Sequence, residues 1–303
     1  MAVAYESVGL SGWEGNASSE TLVITKPTGL AVGDLMVAHL TAISKAATTA
    51  IWTTLSGWTL LGSGEGTNAV NQSCRLDVYY KIAVQADVDA TNFTWTSGTG
   101  DKWCNGQIYR ISGHGGAGGI SMAADGNTGG TETYTNTLTP PANSLLLFLV
   151  SAGDNAASGS IATYAITTSN PTWTERYDEY GDATAFLGAG YGDGVTAGAT
   201  ASRPEATATG DSSCDITNFA AESVGVIVAI GPSVSVTVSP AVMVANASVQ
   251  TGTGFAVTGT AVATPAVMVA NASVQAPTVT TAAPKWRNTD KSAAGSVVNP
   301  DKS

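Results

Sequence analysis

Few side chains in this sequence can do chemistry, and they are scattered. Two histidines, His39 and His114, are the whole imidazole inventory, so acid–base work near neutral pH has little to draw on. His39 lies in the apolar run LMVAHLTA and reads as a core or edge-strand residue. His114 lies in GHGGAGG, which satisfies G-x-G-x-x-G at Gly113, Gly115 and Gly118 directly after a strand-like run. A dinucleotide fingerprint needs a helix next, with its N-terminus facing the pyrophosphate. The following ISMAADGNTGGTETYT has no amphipathic helical pattern, so the segment is expected to be a flexible loop between two sets of strands. A G-x-S-x-G elbow is missing, as is the paired His or Cys spacing of a zinc site.

Glycoside hydrolysis asks for only two carboxylates. The densest acidic cluster is ERYDEYGD, with Glu175, Asp178, Glu179 and Asp182 set among Tyr177 and Tyr180. Rings beside acids can stack on a sugar face and accept hydrogen bonds from its hydroxyls. Glu175, Tyr177, Asp178 and Tyr180 are therefore the candidate glycan contacts, although the same letters also fit a solvated hairpin tip. Asp87 and Asp89 in ADVDA offer two oxygens toward calcium, with no further ligands identifiable. No catalytic residue, metal ligand or cofactor motif is assigned. Cys74, Cys104 and Cys214 are odd in number and lack ligand spacing, so three buried, reduced thiols are expected.

The elements that would position these groups read as strands. Only 12% of the 303 residues are charged, about half the share usual in soluble domains, and small and β-branched residues favour strands and turns over helices. Strand-like runs follow one another across 1–231: ETLVITKP, DLMVAHLTA, GWTLLGSG, CRLDVYYKIA, NFTWTSG and WCNGQIYRISG, then TYTNTLTP, SLLLFLVSAG, TWTERYDEY, TAFLGAGYGD, ATASRPEATATG and SVGVIVAIGP. In RLDVYYKI, Leu76, Val78, Tyr80 and Ile82 share one face. The unbroken LLLFLV suits a central strand covered on both sides. The two sets rhyme, about 20–113 with 133–231: each opens on a Thr-rich strand ending at proline (Pro27, Pro140) and later carries a Trp-Thr strand (Trp58, Trp173). The expected fold is all-β, a jelly-roll-like sandwich of two sheets to which each half gives about half of the strands.

Beyond it, 232–284 contains no Asp, Glu, Lys, Arg or His, and PAVMVANASVQ occurs there twice, at 240–250 and 265–275. Repeated phrases of this kind belong to arrays and spacers, where each copy packs on the next. The segment reads as an uncharged repeat stalk or a small Ig-like unit, with a plain linker as the alternative. The polar tail, 285–303, follows; its Trp286, with Arg287 and Lys291, is a candidate docking peptide or a frayed end. The net charge of −11 argues against nucleic acid as a partner. The opening MAVAYESVGL has no signal-peptide pattern, and no apolar run is long enough to insert in a membrane, so synthesis in a cytoplasm is expected.

Taken together, TLVITKPTGLAVGDLMVAHLTA, GWTLLGSG, LDVYYKIA, FTWTSG and GQIYRISG resemble a β-sandwich domain of tailed-bacteriophage virion proteins, found in minor tail proteins and in head or tail fibres. The resemblance covers about 1–231 and carries over no catalytic residue. It implies a non-enzymatic structural role at the particle surface as decoration or fibre. Other virion proteins and copies of itself would be partners, with a host-surface glycan as a further contact. Coiled-coil heptads, usual in long trimeric fibres, are missing. A carbohydrate-binding module or polysaccharide depolymerase using 175–182 is the alternative.

Overall fold

β-Branched, alternating runs separated by Gly, Asn and Pro dictate short antiparallel strands, and the computed structural model is made almost wholly of them. It describes residues 2–16, 21–44, 52–67, 73–98, 102–128, 133–154, 160–168, 170–181, 193–217 and 222–233. The chain divides into two units, Met1–Ser239 and Pro240–Ser303. The repeats at 240–250 and 265–275, Trp286, Arg287, Lys291, Asp182 and most of TAFLGAGYGD lie outside the described residues.

The first half contains β1 (Ala4–Leu10), β2 (Glu14–Asn16), β3 (Thr21–Thr25), β4 (Leu35–Ser44), β5 (Thr59–Thr67), β6 (Ser73–Ile82), a one-turn helix α1 (Gln85–Asp89), β7 (Asn92–Thr96) and β8 (Lys102–Ser112). The second contains β9 (Ile120–Thr128), β10 (Thr133–Tyr134), β11 (Ser144–Asp154), β12 (Ser160–Ile166), β13 (Thr174–Gly181), β14 (Asp193–Arg203), β15 (Ser212–Thr217) and β16 (Glu222–Ile230). The large sheets run β1-β8-β4-β6-β5 and β13-β14-β11-β16-β9, and the small ones β3-β7 and β10-β15-β12. Trp52 forms a bridge with Ser97 beside β7 and stands where β12 stands in the second half. Numbered within each half, and leaving out β2, both large sheets then read 1-8-3-6-5 and both small sheets 2-7-4. That is jelly-roll connectivity with the fifth strand moved to the edge of the larger sheet.

The all-β sandwich character is as the sequence implies, but the layers are arranged differently. Each half builds its own pair of sheets, and the two large sheets then pack face to face, giving four layers. The cause lies in strands that are apolar on both faces. Along β11, Leu145, Leu147 and Leu149 point into the seam between the large sheets, while Leu146, Phe148 and Val150 point into the second sandwich. Along β4, Leu35 and Val37 face the seam, and Met36, Ala38 and Leu40 face the first sandwich with Trp52, Trp58 and Trp95. Each Leu or Val among the seam residues contributes about 1.5–3 kcal/mol on full burial, so the seam is core and not a hinge. The three cysteines are free and buried, one in each of the three cores.

The segment after β8 is correspondingly ordered. Instead of a flexible loop, His114 forms a bridge with Pro232, a 3-10 turn spans Ala117–Gly119, and ISMAADGNT forms β9, paired along its length with β16. The His114 Nδ1 accepts the Gly116 N–H at 3.0 Å, so its Nε2–H donates to the Gly33 carbonyl at 2.8 Å. The imidazole is a strut for the connection.

The two large sheets meet as a wedge. At one edge β5 and β9 touch through backbone: a Cβ on Gly126 would stand 1.8 Å from the Glu65 carbonyl oxygen, and next to it one on Gly64 of β5 would stand 2.5 Å from the Val224 side chain of β16. At the other edge the bulky Tyr5 on β1 faces Arg176 on β13, and Tyr177 of β13 reaches Asn105 on β8. Large side chains there hold the sheets apart, and the gap between them is the cleft described next.

Candidate binding cleft

The cleft, about 700 Å³, runs between β1 of the first sandwich and β13 and β14 of the second, and is walled by the turns at 170–172 and 204–205. Its electrostatic centre is Arg176. β13 is an edge strand with a bulge between Glu175 and Tyr177, and the extra residue turns both Arg176 and Tyr177 toward the first sandwich. The Arg176 guanidinium lies 4.3 Å above the centre of the Tyr5 ring, and its Nε donates to Thr200 Oγ1 at 2.7 Å. It forms no ion pair among the described residues. The hydroxyls of Thr172, Thr174 and Ser202, the Asn170 amide and the Glu205 carboxylate line the remainder.

Two side chains fix the walls. Asn170 Oδ1 accepts the Ile166 N–H at 3.1 Å and the Trp173 indole N–H at 3.0 Å. Arg203, fully buried, donates to the Thr168 carbonyl at 3.0 Å, to Thr207 Oγ1 at 3.1 Å and to the Ala208 carbonyl at 3.1 Å. One guanidinium thereby holds both turns that flank the cleft. An Arg203→Met variant leaves those carbonyls without their donor and is expected to lose about 3–5 kcal/mol in urea unfolding. Its ligand-free cleft should also become more accessible to protease at 204–209.

The structure distributes the sequence-derived glycan contacts over two faces. Tyr177 is buried, and its hydroxyl donates to Glu179 at 2.5 Å and lies 2.9 Å from Asn105 Oδ1. It has no ring face to offer a sugar, which corrects the expectation for this residue. Burial pushes its phenol pKa up, as does its bond to Glu179. Glu175 and Asp178 are exposed and Tyr180 half-buried. Glu175 and Asp178 both add to the burial effect that raises the Tyr164 pKa on β12, so their charges act on the side away from the cleft. The stretch is an edge strand and not a hairpin tip. Asp87 accepts Lys81 Nζ at 2.6 Å and the Val84 N–H at 2.9 Å, so this carboxylate closes the start of α1 and neutralises a lysine. Among the described residues no group of three or more His, Cys, Asp or Glu is placed to hold a metal.

Sequence reading misses a second polar cluster altogether. In the seam, His39 Nε2 lies 2.9 Å from Ser151 Oγ and 3.1 Å from Thr41 Oγ1, with the two hydroxyls 2.5 Å apart. Beside them on β8, Asn105 and Gln107 bond to Thr196 of β14. A serine oxygen at this distance from an imidazole is the geometry of an activated nucleophile. Here both residues have zero exposure and the His39 Nδ1 has no orienting partner among the described residues, so the pair is a structural contact. Ser151 and His39 are 112 residues apart, and only the stacking of the two halves joins them. Arg176 is legible in ERYDEYGD, but reading that run for its acids overlooks the cation in their midst.

No helix among the described residues is long and apolar enough to cross a membrane. In comparisons with protein-family models, curated proteins and solved structures, nothing matches this chain.

Proposed function

We propose that this chain is a non-enzymatic structural protein of a tailed-phage particle, displayed on capsid or tail and able to contact the host envelope. The observation that carries the reading is the seam: two sandwiches share one apolar core and so behave as a single stiff block. A protein that acts by holding a surface in place needs that stiffness, whereas a protein that closes over a substrate needs a hinge. The low charge and the uncharged repeats of 232–284 support assembly among identical neighbours, and the strand cues quoted above support the phage context.

Deleting 232–303 is expected to abolish incorporation into particles while the remaining block stays folded. Immunogold labelling of whole particles, with the truncated chain supplied in trans, checks this; normal incorporation would reject anchoring through that segment. A carbohydrate-binding role is the second reading, favoured by the polar cleft around Arg176.

A further inference from the structure

We infer that the cleft between β1 and β13 binds a carboxylated saccharide, with Arg176 holding the carboxylate. This deepens the surface-contact part of the proposal above and rests on it for its biological setting, though not for its chemistry. Three observations carry it.

The first is a charge without a counter-ion. The chain has a net charge of −11, yet Arg176 has no acidic partner among the described residues. Arg75, Lys81 and Arg110 by contrast are each paired with an aspartate, at 2.8, 2.6 and 2.6 Å. The second is preorganisation. Tyr5 supports the guanidinium plane from below and Thr200 holds its Nε. Its two terminal nitrogens are left to address a ligand, and a carboxylate meets them with two parallel hydrogen bonds. Little side-chain freedom remains to be lost on binding.

The third is the rest of the lining. Thr172, Thr174 and Ser202 can each donate and accept, Asn170 is held through its oxygen so that its NH₂ is left to donate, and Glu205 accepts. Alternating donors and acceptors suit the hydroxyls of a pyranose better than a bare inorganic anion. Half-buried Ala4 and Pro171, backed by the buried Val3 and Leu145, give an apolar surface against which the C–H face of a sugar ring can rest. The volume of about 700 Å³ admits one to two sugar rings and lies within the usual range of small-ligand sites.

The test uses the purified full chain and titration calorimetry with trigalacturonate, neutral galactotriose and sodium acetate. Trigalacturonate is expected to bind at least roughly tenfold more tightly than either of the others. Arg176→Gln should weaken it by roughly tenfold or more while lowering the melting temperature by no more than about 2–4 °C, because the contacts to Tyr5 and Thr200 are lost from an exposed side chain. Arg176→Lys should recover part of the affinity, since one ammonium replaces a two-pronged contact. Equal affinity for the acidic and neutral trisaccharides, acetate binding as tightly as the trisaccharide, an unaffected Arg176→Gln variant, or no binding at millimolar ligand would each overturn the site. Particle incorporation is read separately by immunogold, so loss of the cleft's ligand and loss of the virion role are distinguishable.

Discussion

Folding stability is expected to fall by up to about 1.4 kcal/mol per pH unit from one residue, His39, as the pH drops below 6.5. Complete burial lowers the His39 pKa from 6.5 to about 3, so the folded protein keeps it neutral where the unfolded chain would protonate it. Above pH 6.5 neither state binds the proton and the residue contributes no slope. Between 6.5 and about 3 only the unfolded state gains it, and stability drains away with acid. Asp77 and Glu175 act in the opposite sense: burial raises both pKa values, so the folded state takes up their protons first and gains stability as the pH falls. A His39→Gln variant separates the terms. Its urea-derived stability at pH 7 should be lower than that of the parent, because the bonds to Ser151 and Thr41 change, but the gap should narrow steadily toward pH 4. A constant gap across that range would mean that His39 protonates in the folded state.

Gly126→Ala is expected to be the most damaging single methyl group. On an edge strand an alanine is normally tolerated, with β propensities spanning only about 1 kcal/mol. Here the new Cβ meets the backbone of β5, 1.8 Å from an oxygen and 2.3 Å from a carbon of Glu65. No rotamer relieves a backbone clash, so β5 and β9 must separate and the seam behind them must open. A loss of about 3 kcal/mol, or roughly 6–12 °C in melting temperature for a chain of this size, follows. Gly118→Ala, at a position with nothing within 4 Å of the new Cβ, is the control and should melt within a degree or two of the parent. Equal melting of both variants would mean that the β5–β9 edge is not closed in solution.

Much of this fold is written locally. Alternation in β3, β6 and β7, and the doubly apolar runs of β11 and β16, are visible because those strands are buried against sheets on one or both sides. Leu76 and Val78 lie in the seam, with Tyr80 and Ile82 packed at its margin, as their spacing implies. β1, β9, β12 and β15 are harder to see. Ile120–Thr128, for example, is rich in Ala, Gly, Asp and Asn, poor strand formers, and becomes a strand because β16 pairs with it and β5 packs closely on it. TYTNTLTP yields only two strand residues, Thr133 and Tyr134, and ATASRPEATATG stops at Arg203, before Pro204. The cleft is less legible still. Tyr5 lies 171 residues before Arg176 and 197 before Ser202, and no short-range pattern encodes the packing of one sandwich on another.

The wedge has a further consequence. Because both halves share one connectivity, the β5–β9 edge and the β1–β13 edge are counterparts, yet one is shut by glycine and only the other is open. Among the described residues, the block thus offers the proposed ligand one site in this seam, and it has a front and a back. Firm attachment to a repetitive surface then has to come from avidity, by presenting many chains in the same orientation.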